Sequence, residues 1–244
     1  MKNYNYQKFA NKEYDLVHSS GISTGEFIQD FSFLTLDGET KKLSDFTDKP
    51  IILETGSLSC GMFAGQSKAM NQLATENKDF HFLLLYVREA HPGKLVNAHN
   101  NIEQKCNLAN RLYTEDNIEN RTIIIDDING TVHSILGALP NMVFIIDTNR
   151  QIIFKDEWNN VKILQNAIQE FRTTKTPQQQ KWTMLPFPNV PIEYKIFKRA
   201  GWDAGIDFIK ALPKLIYSHL LGGLCGKFSQ IAKRSGQNPK NASH

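Results

Sequence analysis

The sequence predicts an α/β domain in which a central mixed sheet is flanked by helices. Three near-continuous apolar runs, at 51–55, 80–87 and 122–126, have the composition of strands buried on both faces. Segments with helical spacing follow the first two runs, at 62–75 and 100–113. Strands and helices that alternate in this way form parallel units of one sheet.

An antiparallel hairpin is predicted after these parallel units. The segment Gly137-Ala138-Leu139-Pro140 enters a strand at 142–147, and a turn leads to a second strand at 151–154 and a helix at 161–171. Parallel strands followed by a hairpin with a proline at its entry are the layout of a thioredoxin-like fold. In that layout the proline lies beside the active-site cysteine. We therefore expect Pro140 to follow a cis peptide bond and to contact the substrate.

Composition divides the chain into four segments. Residues 1–25 are polar and are predicted to be flexible, and 26–173 hold the predicted thioredoxin-like domain. Residues 174–191 are rich in Pro, Gln and Thr, which is typical of a linker, and 192–244 are predicted to be a basic amphipathic helical extension. From residue 195 onward nine Lys and Arg stand against two Asp, whereas the first 194 residues carry 19 basic and 23 acidic residues.

Charge and cysteine content limit the function classes. The main body has no basic excess that would favour nucleic acid. The extension has three interpretations: it packs on its own domain, it joins a second subunit in a homodimer, or it lies on an anionic membrane surface. Three widely spaced cysteines do not form a disulfide framework, and the sequence has neither a signal-peptide core nor a long apolar run. We expect a cytoplasmic protein with no bound cofactor and no metal.

Cys60 is the most informative residue. It follows the apolar run 51–55 and a short turn, and a helix begins directly after it. The free N–H groups and partial positive charge of a helix N-terminus stabilise a thiolate, so we expect Cys60 to have a lowered pKa and to be nucleophilic. A buried structural cysteine is the alternative interpretation.

Acid and base groups follow the next apolar run, 80–87. Glu89 and His91 come shortly after this run, and His99 opens the next helix. The carboxyl ends of parallel strands and the N-termini of the following helices meet at one edge of a sheet, so these side chains are expected beside Cys60. Carboxylate and imidazole groups exchange protons near neutral pH, which favours a proton relay for thiolate chemistry.

The motifs around these residues resemble those of the iodothyronine deiodinases, a family of thioredoxin-fold enzymes. The likeness runs from about residue 29 to 171, and Cys60 takes the place of the family's selenocysteine. Five motifs carry it, in this order along the chain: Gly56-Ser57-Leu58-Ser59-Cys60-Gly61-Met62-Phe63, Tyr86-Val87-Arg88-Glu89-Ala90-His91-Pro92, His99-Asn100-Asn101-Ile102-Glu103, Asp126-Asp127-Ile128-Asn129 and Gly137-Ala138-Leu139-Pro140.

The resemblance implies a thiol-dependent reductase. Cys60 would be the nucleophile in the reductive dehalogenation of an iodinated or otherwise halogenated phenol, and an external thiol of the thioredoxin or glutathione type would regenerate it. The proton-relay and substrate-orienting groups would be Glu89, His91 and His99. Ser57 and Tyr86 would line the substrate site.

The family's further cysteines are replaced here. Leu58 stands two residues before Cys60, where the family has one cysteine, and the region of Arg121 takes the place of another. Cys106, on the predicted helix after His99, is therefore the candidate resolving thiol.

Two other functions stay open at this stage. Ser57, three residues before Cys60, also suits a one-cysteine peroxiredoxin-like enzyme that reduces peroxide, with Arg88 or Arg121 as its active-site arginine. The other function is that of a non-catalytic thioredoxin-fold adaptor, which binds a partner through its C-terminal extension. An unreactive Cys60 would favour the adaptor.

Overall fold

A computed structural model of the chain describes residues 4–10, 21–179 and 189–217. Seven strands form one sheet: β1 Ser32–Thr35, β2 Thr40–Lys42, β3 Ile51–Gly56, β4 His81–Tyr86, β5 Thr122–Ile125, β6 Val143–Ile146 and β7 Ile152–Asp156. Their order in the sheet is β2-β1-β5-β4-β3-β6-β7. The three central strands β5, β4 and β3 are parallel, and the strands on either side of them are antiparallel to their neighbours.

The helices of the described residues are α1 Gly61–Glu76, α2 Ile102–Glu115, α3 Thr131–Leu136, α4 Val161–Thr174, α5 Val190–Ala200 and α6 at 202–217. A short 3-10 turn, Leu43–Phe46, follows β2. This order confirms the predicted alternation of strands and helices followed by a hairpin and a helix. The fold is thioredoxin-like.

Alternate residues of the central strands face opposite sides of the sheet. Leu53 and Leu85 pack with residues of α3 on one side. Ile52 packs with residues of α1 and α4 on the other side, and Leu84 packs there with residues of α1, α2 and α5. Because both faces are covered, the three central strands are mostly apolar, which is why they could be recognised from composition.

The peptide bond before Pro140 is trans, since the described residues contain no cis bond. The prediction of a cis proline is therefore wrong. Gly137 (φ 124°) and Ala138 (φ 59°) make the turn that precedes the proline, so the chain reverses before this bond. Pro140 is nevertheless buried beside β3. The Thr55 hydroxyl donates to the Leu139 carbonyl (3.3 Å) and accepts a hydrogen bond from the Met142 N–H (2.8 Å), so the residues on either side of the proline are bonded to β3.

The N-terminal segment packs against the domain where it is described. Tyr6 and Phe9 are buried, and the Tyr6 hydroxyl donates to the carbonyl of Ala90 at 2.8 Å. This differs from the expectation of a flexible segment, because the aromatic side chains find an apolar surface at the carboxyl edge of the sheet. Of the predicted segments, 1–3 and 11–20 of the N-terminal one, 180–188 of the linker and 218–244 of the extension lie outside the described residues. The four-part division stays a prediction.

A search of the described residues for helices long and apolar enough to cross a bilayer finds none. The exposed side of α6 carries Trp202, Ile206 and Ile209, which are more than half exposed. The membrane contact of the extension stays a prediction, as does a homodimer.

A buried ion pair links the sheet to α1. The Arg121 guanidinium binds the carboxylate of Glu54 on β3, and also donates to Ser67 (2.8 Å) and Asn71 (2.7 Å) of α1. Both charged side chains are almost fully buried. Burial raises the pKa of Glu54, and the neighbouring Arg121 charge opposes that shift.

Removing the arginine of this pair should destabilise the protein strongly. In Arg121→Ala the Glu54 carboxylate stays buried without its partner, so we expect a loss of about 3–5 kcal/mol in the free energy of unfolding. Lys41→Ala is the matched control, because Lys41 forms an exposed ion pair with Glu39, worth about 0–1 kcal/mol. Urea unfolding at pH 7 measures both. Equal losses in the two variants would contradict a structural role for the buried pair.

Candidate active site

Cys60 caps the N-terminus of α1. The chain leaves β3 at Gly56, turns through three buried residues and places Cys60 at the N-cap, where Sγ accepts a hydrogen bond from the Phe63 N–H at 3.5 Å. The predicted position at the start of a helix is confirmed. The local geometry supplies the donors that a thiolate needs.

The predicted lowering of the Cys60 pKa is wrong for this conformation. Burial raises the pKa of the thiol to about 12, and the nearby carboxylates of Glu193 and Glu89 act in the same direction. The N–H groups of Met62 and Phe63 oppose the shift but do not outweigh it. Cys60 is only 2% exposed, so its thiol is protonated and out of reach of solvent here.

Glu89 is the centre of a hydrogen-bond network that includes Ser59, the residue directly before Cys60. Its Oε2 accepts hydrogen bonds from the N–H (2.9 Å) and the hydroxyl (2.6 Å) of Ser59. Its Oε1 accepts a hydrogen bond from the Tyr86 hydroxyl and lies 3.2 Å from Nε2 of His99. The network therefore joins three parts of the chain: residues 57–60, called here the cysteine turn, the end of β4 and the loop before α2.

These contacts keep the carboxylate ionised although it is fully buried. Burial alone would raise the pKa of Glu89, but the hydrogen bonds and charge of His99, with those of Ser59 and Tyr86, lower it. The pKa of Tyr86 is raised well above its usual value by burial and by the Glu89 charge, so its hydroxyl stays a donor. Nδ1 of His99 is buried and has no hydrogen-bond partner in the described part of the chain.

His91 lies in a box of aromatic rings. The rings of Phe9, Phe208 and Phe197 have their centroids 4.5, 5.2 and 5.7 Å from the imidazole. Burial lowers the pKa of His91 to about 4, so the ring is neutral at pH 7. Its Nδ1 is buried without a hydrogen-bond partner among residues 4–10, 21–179 and 189–217. The backbone N–H of His91 donates to the Ser59 hydroxyl at 3.0 Å, which holds the residue at the site.

Helix α5 covers this edge of the sheet. Ile196 and Phe197 pack into the same apolar cluster as Leu58 and Cys60. The Arg199 guanidinium donates to the carbonyl of Leu58 in the cysteine turn at 3.0 Å. The sequence did not predict this contact, because the helix lies about 130 positions after Cys60.

The remaining predicted site residues are Ser57, Tyr86, Pro140 and Cys106. Ser57 and Tyr86 lie at the site: the Ser57 hydroxyl accepts a hydrogen bond from Ala90 N–H at 3.2 Å. Pro140 lies beside β3. Cys106 is a half-buried free thiol on α2 that packs at the side of the Cys60 cluster, and its role as a resolving thiol stays a prediction.

The two arginines considered for a peroxidase are held elsewhere. Arg121 is bound by Glu54 under α1, and Arg88 stacks on the rings of Tyr4 and Tyr6 at about 5 Å. Neither has a contact with Cys60 among the interactions of the described residues.

Sequence reasoning missed Ser59, Glu193 and the aromatic residues of both terminal segments. Ser59 could have been found, since a serine beside the nucleophile can bind a carboxylate that the topology brings to the same edge. Glu193 carried only a local signal: Asn189 caps a helix that starts with Val190-Pro191. That signal predicts a helix but not where the helix packs.

The model of the iodothyronine deiodinase family matches residues 1–173, which is more than half of the chain. The chain belongs to the iodothyronine deiodinase family. No curated protein matches the chain. Family membership, together with the thioredoxin-like fold, supports a thiol-dependent oxidoreductase. Helices α5 and α6 lie after the matched region.

Two solved structures that are similar to this chain are distant from it in sequence. An uncharacterized conserved protein from Geobacillus kaustophilus is 13% identical with a TM-score of 0.53, over 67% of this chain and 89% of that one. The exposed lipoprotein thioredoxin of Streptococcus pneumoniae is 18% identical with a TM-score of 0.46, over 58% of this deiodinase-family chain and 99% of that one. The similarity to the Geobacillus protein concerns the fold alone, and nothing is concluded from the similarity to the Streptococcus protein.

The Glu89 network should make stability depend on pH in acid. The pKa of Glu89 is lower in the folded protein than in the unfolded chain, where it is about 4. Its stabilising contribution is therefore present above that unfolded value and lost as the pH falls through the folded one. We expect Glu89→Gln to be about 1–3 kcal/mol less stable than the parent at pH 7, with the difference shrinking toward pH 3.

Urea midpoints measured from pH 7 to pH 3 test this expectation. Glu39→Gln is the control, because Glu39 is exposed on the turn before β2. A Glu89→Gln variant whose stability runs parallel to that of the parent at every pH would contradict the buried, ionised state of Glu89.

Proposed function

We propose that the protein reductively dehalogenates a halogenated phenol, with Cys60 as the nucleophile and an external thiol as the reductant. The observation that supports this most is the concentration of buried ionisable groups around one cysteine at a helix N-terminus. Glu89, His91 and His99 all lie at this edge, and two of their ring nitrogens have no partner in the described residues. Unpaired buried polar atoms cost free energy and are concentrated at functional sites.

The chemistry begins with the thiolate of Cys60. The sulfur attacks the halogen of the aryl halide, a sulfur–halogen bond forms, and the carbon–halogen bond breaks. The ring carbon takes up a proton and becomes C–H, so the substrate is reduced and the sulfur oxidised. An external thiol then displaces halide to form a mixed disulfide, and a second thiol releases Cys60 as the free thiol and leaves an external disulfide.

Glu89 and His99 supply the proton path in this proposal. The imidazole of His99 lies 3.2 Å from the Glu89 carboxylate, which in turn is bonded to Ser59, the residue before the nucleophile. A carboxylate that orients an imidazole and stabilises its charged form is a common arrangement for general acid–base catalysis. The other ring nitrogen of His99 has no hydrogen-bond partner among the described residues, which leaves it available to accept or donate a proton.

The adaptor is the second candidate. It is favoured by the burial of Cys60 and by the rise of its pKa to about 12. A peroxide reductase has less support, because Arg88 and Arg121 are held by Tyr4, Tyr6 and Glu54 rather than at the thiol.

Replacing the nucleophile separates the enzyme from the adaptor. We expect Cys60→Ser to abolish halide release from iodinated phenols in the presence of dithiothreitol, because a hydroxyl cannot accept the halogen at neutral pH. Cys106→Ser should keep the first turnover, since that step belongs to Cys60, and slower later turnovers would identify Cys106 as the resolving thiol. No halide release by the parent protein from any halogenated phenol, with or without thiol, would support the adaptor.

Replacing the acid–base groups should lower the rate of the chemical step. We expect Glu89→Gln and His99→Ala to lower kcat by about 10²-fold with a smaller change in KM, the usual size of a lost proton-transfer contribution. Halide release and urea unfolding are measured on the same samples. Variants that stay folded and keep full activity would remove these residues from the mechanism.

A further inference from the structure

Helix α5 occupies the space through which a substrate would reach the thiol. We propose that α5 is a lid over Cys60, that the thiol reacts only after this helix leaves the domain, and that the Glu193 side chain limits how firmly the lid closes. The inference concerns access to the thiol. It can therefore be tested with a general alkylating reagent and does not depend on which substrate the enzyme uses.

The fit between the lid and the cysteine turn is close. A Cβ atom added to Gly61, the first residue of α1, would lie 2.5 Å from Cδ of Glu193 and still closer to Oε1. The absence of a side chain at Gly61 thus leaves the place that the Glu193 carboxyl fills. Ile196, on the inner side of α5, is fully buried, and Cys60 keeps only 2% of its surface exposed.

Polar contacts hold the helix in this position. Arg199 donates to the Leu58 carbonyl (3.0 Å) and forms a buried ion pair with Asp116 at the C-terminal end of α2. The carbonyl of Ala200 accepts hydrogen bonds from the N–H groups of Leu95 (2.9 Å) and Val96 (3.3 Å). These contacts attach the turn before Cys60, the C-terminal end of α2 and the middle of the loop between β4 and α2 to the lid.

Glu193 works against closure. It is 93% buried, and its Oε2 has no hydrogen-bond partner within the part of the chain that the structure describes. Burial raises the pKa of this carboxyl to about 7. The Cys60 thiol at the start of α1 feels the charges of both Glu193 and Glu89, the latter from the loop after β4. Arg199, on the same helix as Glu193, is engaged by Asp116 and Glu115 at the end of α2.

The sign of the pH effect follows from the raised pKa. A carboxyl whose pKa is higher in the closed form than in the open form stabilises closure most when it is protonated. This contribution is present below about pH 4.5 and is lost as the pH rises through about 7. The lid should therefore open more readily on the alkaline side of neutrality.

Alkylation of individual cysteines measures the position of the lid. Full-length protein is treated with iodoacetamide at pH 7, and tryptic peptides are quantified over time by mass spectrometry, with Cys106 as the internal reference. In the parent protein we expect Cys60 to react more slowly than Cys106. Gly61→Ala, which displaces the carboxyl, and Arg199→Ala, which removes the anchor, should each raise the Cys60 rate at least about tenfold.

Two substitutions on the same helices are the matched controls. Gly65→Ala adds a methyl group on α1 that meets only Ile192 of α5, at 3.2 Å, and Lys198→Ala removes an exposed cation next to Arg199. Both should leave the Cys60 rate within about twofold. Adding Glu193→Ala to Gly61→Ala should return the rate toward the parent value, because the added methyl group then has room. Unchanged Cys60 alkylation rates in both Gly61→Ala and Arg199→Ala would contradict the proposal that α5 is a lid over the thiol.

Glu193→Gln tests the role of the carboxyl. This variant cannot ionise, so we expect its Cys60 alkylation rate to fall below that of the parent by about 10²-fold at pH 8 and by only about twofold at pH 4.5, after division by the Cys106 rate at each pH. Coincident pH profiles of parent and variant would remove Glu193 from the closing equilibrium. Halide release plays no part in these measurements, so a failed dehalogenation assay and a failed lid are distinguishable.

Discussion

The carboxylate of Glu89 is the constraint on which the site depends. It is fully buried, and it stays ionised only because the donors of Ser59 and Tyr86 and the ring of His99 converge on it. Each donor belongs to a different element, so a shift of any one of them leaves a buried charge partly unsatisfied. The cysteine turn, the end of β4 and the loop before α2 are thereby held in one arrangement, whichever reaction the thiol performs.

The thioredoxin-like sheet alone would leave this arrangement open to solvent. Two segments from outside the central βαβ units enclose it: residues 4–10 supply Tyr6 and Phe9, and the helices after residue 189 supply Phe197 and Phe208. Their rings remove water from around His91 and keep its imidazole neutral. A lower pKa makes the imidazole a weaker proton acceptor, so the enclosure changes the chemistry of the site as well as its accessibility.

Sequence reasoning succeeded where geometry follows from local pattern. Parallel strands place their carboxyl ends at one edge, and this rule alone predicts that Glu89, His91 and His99 lie near Cys60. It failed for the Cys60 pKa, because the favourable helix N-terminus is local whereas the opposing burial comes from a helix about 130 positions later. The trans bond before Pro140 was missed because the turn is made two residues earlier, at Gly137 and Ala138.

The distance along the chain between Cys60 and its cover has a consequence for biosynthesis. Arg199 and Leu58 are 141 positions apart, so the contact that encloses the thiol forms only after the whole thioredoxin-like domain has left the ribosome. The sheet is complete once β7 has been made, at Asp156, and at usual elongation rates the interval from there to Arg199 lasts on the order of a few seconds. During it, a nascent chain that has already folded its sheet presents Cys60 to cellular oxidants without protection. The order of translation thus makes the new polypeptide more vulnerable to oxidative damage than the finished molecule.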